Sequence, residues 1–389
     1  MHRLVRQFLL ETAVGEGYCP QELENRFMEI TLAWTAGESS ELRQTLSAAN
    51  YQNLHREWRH IERAWWLAVK QPCYELLESC WDILFYFEAR GIWGQGDAFF
   101  EATRQQIPPD NRYMHARLDE AQALMAGRVY DMQRSVRLAQ RSLETLEDLG
   151  VDLEQSEAGS YARIILYLAE YAFKQSAFPE EEKQMLRTVA SGYLASFAEV
   201  AIMMFDAATY CAQEDFESAT LVYQEMLKMN GSDTYVNANL LCFLGLSLNG
   251  QGNVEAAREQ FQLALKRGLK GGYSTAVVSA TYELQHLGKN DALSQRFREA
   301  LEDLALQMGS RRTVGLVAIS NAIYYLNLGL FMKGSRLMRI AVGLLWNEVN
   351  TAERGRILAT IAQAYIAFGL IKTAPQVMSL VAPKLLDPA

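Results

Sequence analysis

The chain has 389 residues, half of them apolar, and a formal net charge of −9. That is too long for one ordinary compact domain, and a sequence pI near 5.3 argues against a nucleic-acid surface, which would appear as clustered Lys and Arg. No apolar stretch reaches the roughly 18 residues that a membrane-spanning helix needs: Glu170 interrupts Ile164 to Phe173, and Glu199 and Asp206 flank Val200 to Phe205.

The first residues, MHRLVRQFLLETAVGEG, hold one short apolar segment with Glu11 behind it, a poor secretory signal. From Tyr51 the pattern turns aromatic. Trp58, Trp65, Trp66, Trp81 and Trp93 could suggest a ligand box, but their helical spacing reads first as core, with Trp66 facing away from Trp65. Phe87, Gly91, Trp93, Gly96 and Phe100 then outline a helical hairpin with Gly91 at its corner. Residues 113–142 outline a second around Gly127, and residues 162–188 a third with Phe178 at the corner. Tyr210, Ala219, Tyr223 and Met226 follow, with Glu214-Asp215-Phe216 as the turn. After the clearest copy at residues 241–264 come residues 275–300 around Gly288. Tyr325, Gly329, Gly334, Met338 and Ala341 form the next, and Ala362, Tyr365, Gly369, Ala374 and Met378 the last. No sustained period-2 alternation interrupts these hairpins, and the eight prolines fall in gaps or helix first turns. The chain is read as all-α.

The clearest copy contains LNGQGNVEAA, beginning at Leu248. A phosphate-binding loop would need a buried strand before the glycines and a Lys-Ser/Thr pair after them; Asn253-Val254 stands there instead. Leu241, Leu244, Gly245 and Leu248 share one helix face, and Ala257, Phe261 and Ala264 share another. Gly250 and Gly252 turn the corner between them, while Gly245 and Ala257 allow close approach. The GQG at 94–96 stands out of register with the GQG at 250–252, so their likeness is coincidence. The spacing of the copy resembles the tetratricopeptide pattern, a helical hairpin recurring every 34 or so residues, with Leu248 where an aromatic is usual. Roughly eight such hairpins at residues 51–389 imply a right-handed superhelix, an α-solenoid that needs no single core.

Two stretches go further. His2, Leu4, Arg6 and Phe8 in MHRLVRQFLLETA resemble the closing helix of the winged-helix segment of STAND-type signalling ATPases. Asn53-Leu54, then Ala64-Trp65-Trp66, then Phe85, Phe87 and Arg90-Gly91, are similar to the start of that family's C-terminal sensor array. LETLEDLG at 143–150 and LEDLALQMG at 301–309 share the flavour of arrays in maltose-regulon-activator-like regulators. The resemblance implies that residues 1–50 are a remnant of winged-helix and linker helices, the least stable part without their packing partner. No Walker-type GxxxxGK[ST] occurs, so a nucleotide-binding core of the same regulator is expected upstream, with this chain a sensor arm cut or split from it.

Catalytic chemistry is not legible. Five scattered cysteines, with no CxxC pair, suit free thiols in a reducing cytoplasm; Cys73 and Cys80, seven apart, read as buried thiols. His2, His55, His60, His115 and His286 form no metal-ligand spacing, and no GxSxG is present. Glu180-Glu181-Glu182, after Pro179, complements a helix N-terminus. No enzyme activity, cofactor, metal, nucleic-acid or membrane partner is expected.

On a tetratricopeptide template the concave face is lined by the first helix of each hairpin. That places Arg163, Glu170 and Lys174, Asn239 and Asn249 with Cys242 and Leu246, then Asn327, Arg356 and Gln363 in a groove, beside apolar Met204, Phe205, Ile319 and Ile323. Such side chains hydrogen-bond a peptide backbone or carboxylate; for any one of them taken singly, an ordinary solvated helix face is the favoured reading. The expected function is a non-enzymatic arm that binds a protein, a peptide or a small-molecule inducer and shifts the state of an attached core. A free-standing tetratricopeptide scaffold is the alternative; a helical-repeat enzyme or nucleic-acid binder fits the acidic balance least.

Overall fold

A computed structural model of the chain describes residues 20–45, 48–79, 81–129, 131–153, 156–174, 179–189, 193–229, 234–287, 295–308 and 311–345. Its elements are α1 (Pro20–Thr45), α2 (Ala48–Lys70), α3 (Tyr74–Ser79), a 3-10 turn (Trp81–Ile83), α4 (Leu84–Arg90), α5 (Trp93–Arg104), α6 (Arg112–Arg128) and α7 (Met132–Asp148). There follow α8 (Glu157–Lys174), α9 (Glu180–Val189), α10 (Tyr193–Ala212), α11 (Phe216–Met229), α12 (Tyr235–Gly250), α13 (Val254–Gly271), α14 (Ser274–His286), α15 (Gln295–Met308), α16 (Arg311–Asn327) and α17 (Phe331–Leu345). The motif at residues 2–8, Cys80, Phe178, Gly288 and the hairpin at 362–378 lie outside the described residues. No helix among the described residues is long and apolar enough to cross a membrane.

Each helix from α5 onward packs on the next, and alternate helices such as α6 and α8, α12 and α14, or α14 and α16 also touch. This i, i+1, i+2 order is an all-α solenoid. The corners explain why the helices stop and restart. Gly252 and Gly329 adopt φ of 80° and 75°, a left-handed conformation that glycine reaches without steric strain. One residue later in the first of these, the Asn253 side chain accepts from the Ala256 N–H and starts α13. Asn111, Asp131, Asp215 and Thr234 likewise accept a backbone N–H three residues on, starting α6, α7, α11 and α12. Such caps are worth about 1 kcal/mol each.

In the clearest copy the expected template residues are buried, except Leu248, which is half-buried. Ala257, Phe261 and Ala264 are fully buried, and Leu241 and Leu244 nearly so. A Cβ added at Gly245 would lie 2.6 Å from the Phe261 ring, so the glycine is what lets α12 and α13 close. The second GQG has another role: Gly96 sits inside α5, against Phe87 and Met125.

Two expectations are corrected. One is a matter of a few positions: the second hairpin lies where expected, with its corner just past Gly127, which packs against Ser135 in the last turn of α6. Cys73 is half-buried rather than buried.

The solenoid also bends back on itself. Helix α14 touches α4 and α15 touches α5, so these two helices meet the N-terminal aromatic cluster. Val277, Val278, Leu301 and Ala305 share one core with Trp65, Tyr86, Phe87 and Phe100. Residues 20–45 belong to that body too, since α1 packs along α2 and puts Met28 and Leu32 into the same core.

Candidate functional site

Helix α12 shows how the repeat presents a surface. Leu240 and Leu244 pack with Ala207, Tyr223 and Met226 of α10 and α11. Leu241 packs with Phe261 and Ala264 of α13, and the Cys242 thiol donates to the Ala276 carbonyl of α14 at 3.7 Å. At 100° per residue those contacts occupy three sides of the helix. The remaining side carries Asn239, Phe243 and Leu246. Phe243 and Leu246 are more than a third exposed, and the Phe243 ring stacks on Tyr223 at 5.9 Å. The Asn239 amide donates to the Tyr235 carbonyl, 2.9 Å away, which fixes its rotamer. The result is a mixed apolar and polar strip on a helix held rigid from three directions.

The other expected groove residues are spread out. Asn249 is exposed in the last turn of α12, about 15 Å along the axis from Asn239. Arg163 and Glu170 are half-buried on α8, seven residues apart and so on one face. The side chains of Lys174 and Asn327, and all of Arg356 and Gln363, lie outside the described residues. Two of the neighbouring positions are corrected. Cys242 is buried between α12 and α14, where burial pushes its thiol well above the ordinary range. Ile319 is fully buried among Ala322, Leu326 and Met338, so it packs its own hairpin and lines no groove. Met204 and Phe205 of α10 are half-buried, as is Ile323 of α16.

A polar centre inside the curve has no forewarning in the expected set. Glu88, on the fully buried face of α4, accepts from Arg128 of α6 at 2.8 Å and from the Tyr235 hydroxyl of α12 at 3.3 Å. Burial, with the Glu88 charge beside it, holds the Tyr235 phenol protonated. Nearby, Arg90 donates to both His55 Nδ1 and the Tyr86 hydroxyl, each at 2.8 Å, and Tyr51 stacks on His55 and Tyr86. Arginine only donates, so His55 Nδ1 is an acceptor and the ring is neutral. Burial first, then the Arg90 charge, lowers the imidazole below its usual range. A Cβ at Gly272 would lie 3.1 Å from the Tyr51 ring, which marks how closely the two ends of the curve approach.

These groups neutralise and orient one another. They align no nucleophile with a base, and no group of His, Cys, Asp and Glu among the described residues is arranged to hold a metal. Fold and strip together define a helical-repeat solenoid with a presented helix face. No model of a known protein family matches the chain, and no curated protein sequence matches it.

Proposed function

We propose that the chain is a binding arm: a solenoid that takes a protein or peptide segment along the free side of its first helices, without catalysis. The observation that carries this is the strip Asn239, Phe243 and Leu246. Two apolar side chains, each a little over a third exposed, lie beside a fixed amide on a helix whose other sides are already packed. Apolar anchors beside a hydrogen-bonding amide suit an extended or helical segment. The STAND-like motifs at residues 2–8 and 53–91 support placing that arm on a signalling regulator, where a partner with different affinity for two states of an attached core would shift it between them.

The test is capture of partners from the host's soluble fraction. The wild-type chain is compared with Phe243→Ala/Leu246→Ala and with Gln262→Ala/Lys266→Ala, two exposed positions of α13. The expected result is a partner lost by the first variant and kept by the second. Equal capture by all three chains sinks the strip as the binding surface.

A further inference from the structure

The α16–α17 hairpin differs from the rest of this acidic chain. No Asp or Glu occurs between Asp303 and Glu348, whereas Arg311, Arg312, Lys333, Arg336 and Arg339 do. The corner of the hairpin is also unusual. Met332 is 85% exposed, and Leu328, Leu330 and Phe331 are between 43 and 55% exposed. Four large apolar side chains therefore stand in water within five consecutive positions, around Gly329 at φ 75°. The turns at Glu214 and Gly252 occupy the same place in their hairpins and carry Asp215 and Asn253 where this one carries Leu330.

We propose that this corner docks the chain on an anionic membrane surface, with the apolar tip inserted and the basic residues at phosphate level. Two features favour a lipid surface over an acidic protein. A tight corner projects outward and meets a flat, deformable surface more readily than it lines a groove. The spacing also fits. Arg336 and Arg339 are exposed on α17, about 6 and 10 Å behind Met332 along the helix axis, and interfacial elements bury their apolar side by about 5–10 Å. Lys333 stands at the tip with its ammonium 3.8 Å from the centre of the Tyr325 ring, where Glu302 and Glu299 of α15 offset its charge, so the attraction rests on Arg336 and Arg339. This is surface docking; it needs no spanning helix.

The experiment is co-sedimentation of the 389-residue chain with phosphatidylcholine vesicles, with and without one-third phosphatidylserine. The expected result is binding to the anionic vesicles alone, weakened by salt. Arg336→Glu/Arg339→Glu should lower the vesicle affinity at least about tenfold, since each basic residue near such a surface contributes about 1 kcal/mol. Phe331→Ser/Met332→Ser should lower it as well. All four positions are exposed, so both variants should melt like the wild type, which separates lost docking from lost folding. A wild-type chain left in the supernatant overturns the proposal, as do variants that bind like the wild type. So does retention on immobilised polyglutamate without vesicle uptake, which would make the corner a docking surface for acidic protein.

Discussion

The Tyr235 hydroxyl donates to the Glu88 carboxylate at 3.3 Å, across 147 positions of sequence. It ties the first helix of one repeat to a buried helix near the other end of the curve. Neither neighbour in sequence could supply this partner; only the bend of the solenoid does. Tyr235→Phe keeps the ring and its packing on Tyr273 but removes a donor to a buried charge. The expected cost is about 1–3 kcal/mol, read as a lower urea midpoint at unchanged slope. Glu88→Gln combined with Tyr235→Phe should cost less than the sum, because both changes break the same bond. Additive losses would mean that the two side chains act separately.

Gly245 and Phe261 make a second test. A methyl group at 245 would meet the Phe261 ring at 2.6 Å. Phe261 is fully buried, and a close-packed interior yields little to an added methyl group. Gly245→Ala should therefore destabilise by about 1–3 kcal/mol through overpacking, although alanine favours helix more than glycine does. Gly245→Ala/Phe261→Leu should recover part of that loss. A stabilised Gly245→Ala would show that helix propensity outweighs packing here.

Glu214 occupies the corner position that Gly252 and Gly329 fill elsewhere, with φ of 62°. A non-glycine residue held left-handed costs about 1–2 kcal/mol. Glycine removes that strain but loses more backbone freedom on folding, so the net gain from Glu214→Gly should be about 0.5–1 kcal/mol. Glu214→Ala keeps the strained conformation and should gain nothing. Thermal midpoints of the two variants, measured side by side, check the sign.

These three sites also show what could be read from sequence. The 250–252 corner, its Asn253 cap and the facing Gly245 and Phe261 depend on local spacing, and local spacing is visible in a string of residues. Helix α6 was harder, because charged residues fill its buried positions and blur the helical period. Asp119 there receives bonds from both Arg104 and Arg141, and Arg117 pairs with Glu120 while lying 5.0 Å over Trp81. Asp119 is acceptable inside because of partners on α5 and α7, and Arg117 because Glu120 stands one turn along its own helix and Trp81 lies beneath it. The centre at Glu88, Arg128 and Tyr235 was not legible for the same reason; its only local trace is a carboxylate interrupting the apolar run LFYFEA. Of the expected groove, Asn239 and Leu246 do share the open side of α12, but Phe243 between them was missed, although the same helical spacing places it there. Cys242 and Ile319 were misplaced because the template assigns a face without knowing how tightly the next repeat closes over it.

The last prediction concerns pH. His55 accepts from Arg90, and both burial and that guanidinium lower its pKa in the folded chain. In the unfolded chain it titrates near the usual imidazole value of about 6.5. The unfolded state therefore takes up a proton first as pH falls. The stability this bond contributes is fully present above pH 6.5 or so, and it is lost as pH falls through the lower folded pKa. Urea midpoints between pH 7.5 and 5 should decline for the wild type and decline less for His55→Gln, which cannot be protonated. The imidazole lies near the surface, so the effect should be small, and direct titration of the His55 ring protons by NMR is the sharper measurement. A folded-state midpoint equal to the unfolded value would make the two pH profiles coincide, and one above it would make the wild type gain on the variant as pH falls; either outcome would mean that Arg90 does not hold the ring neutral.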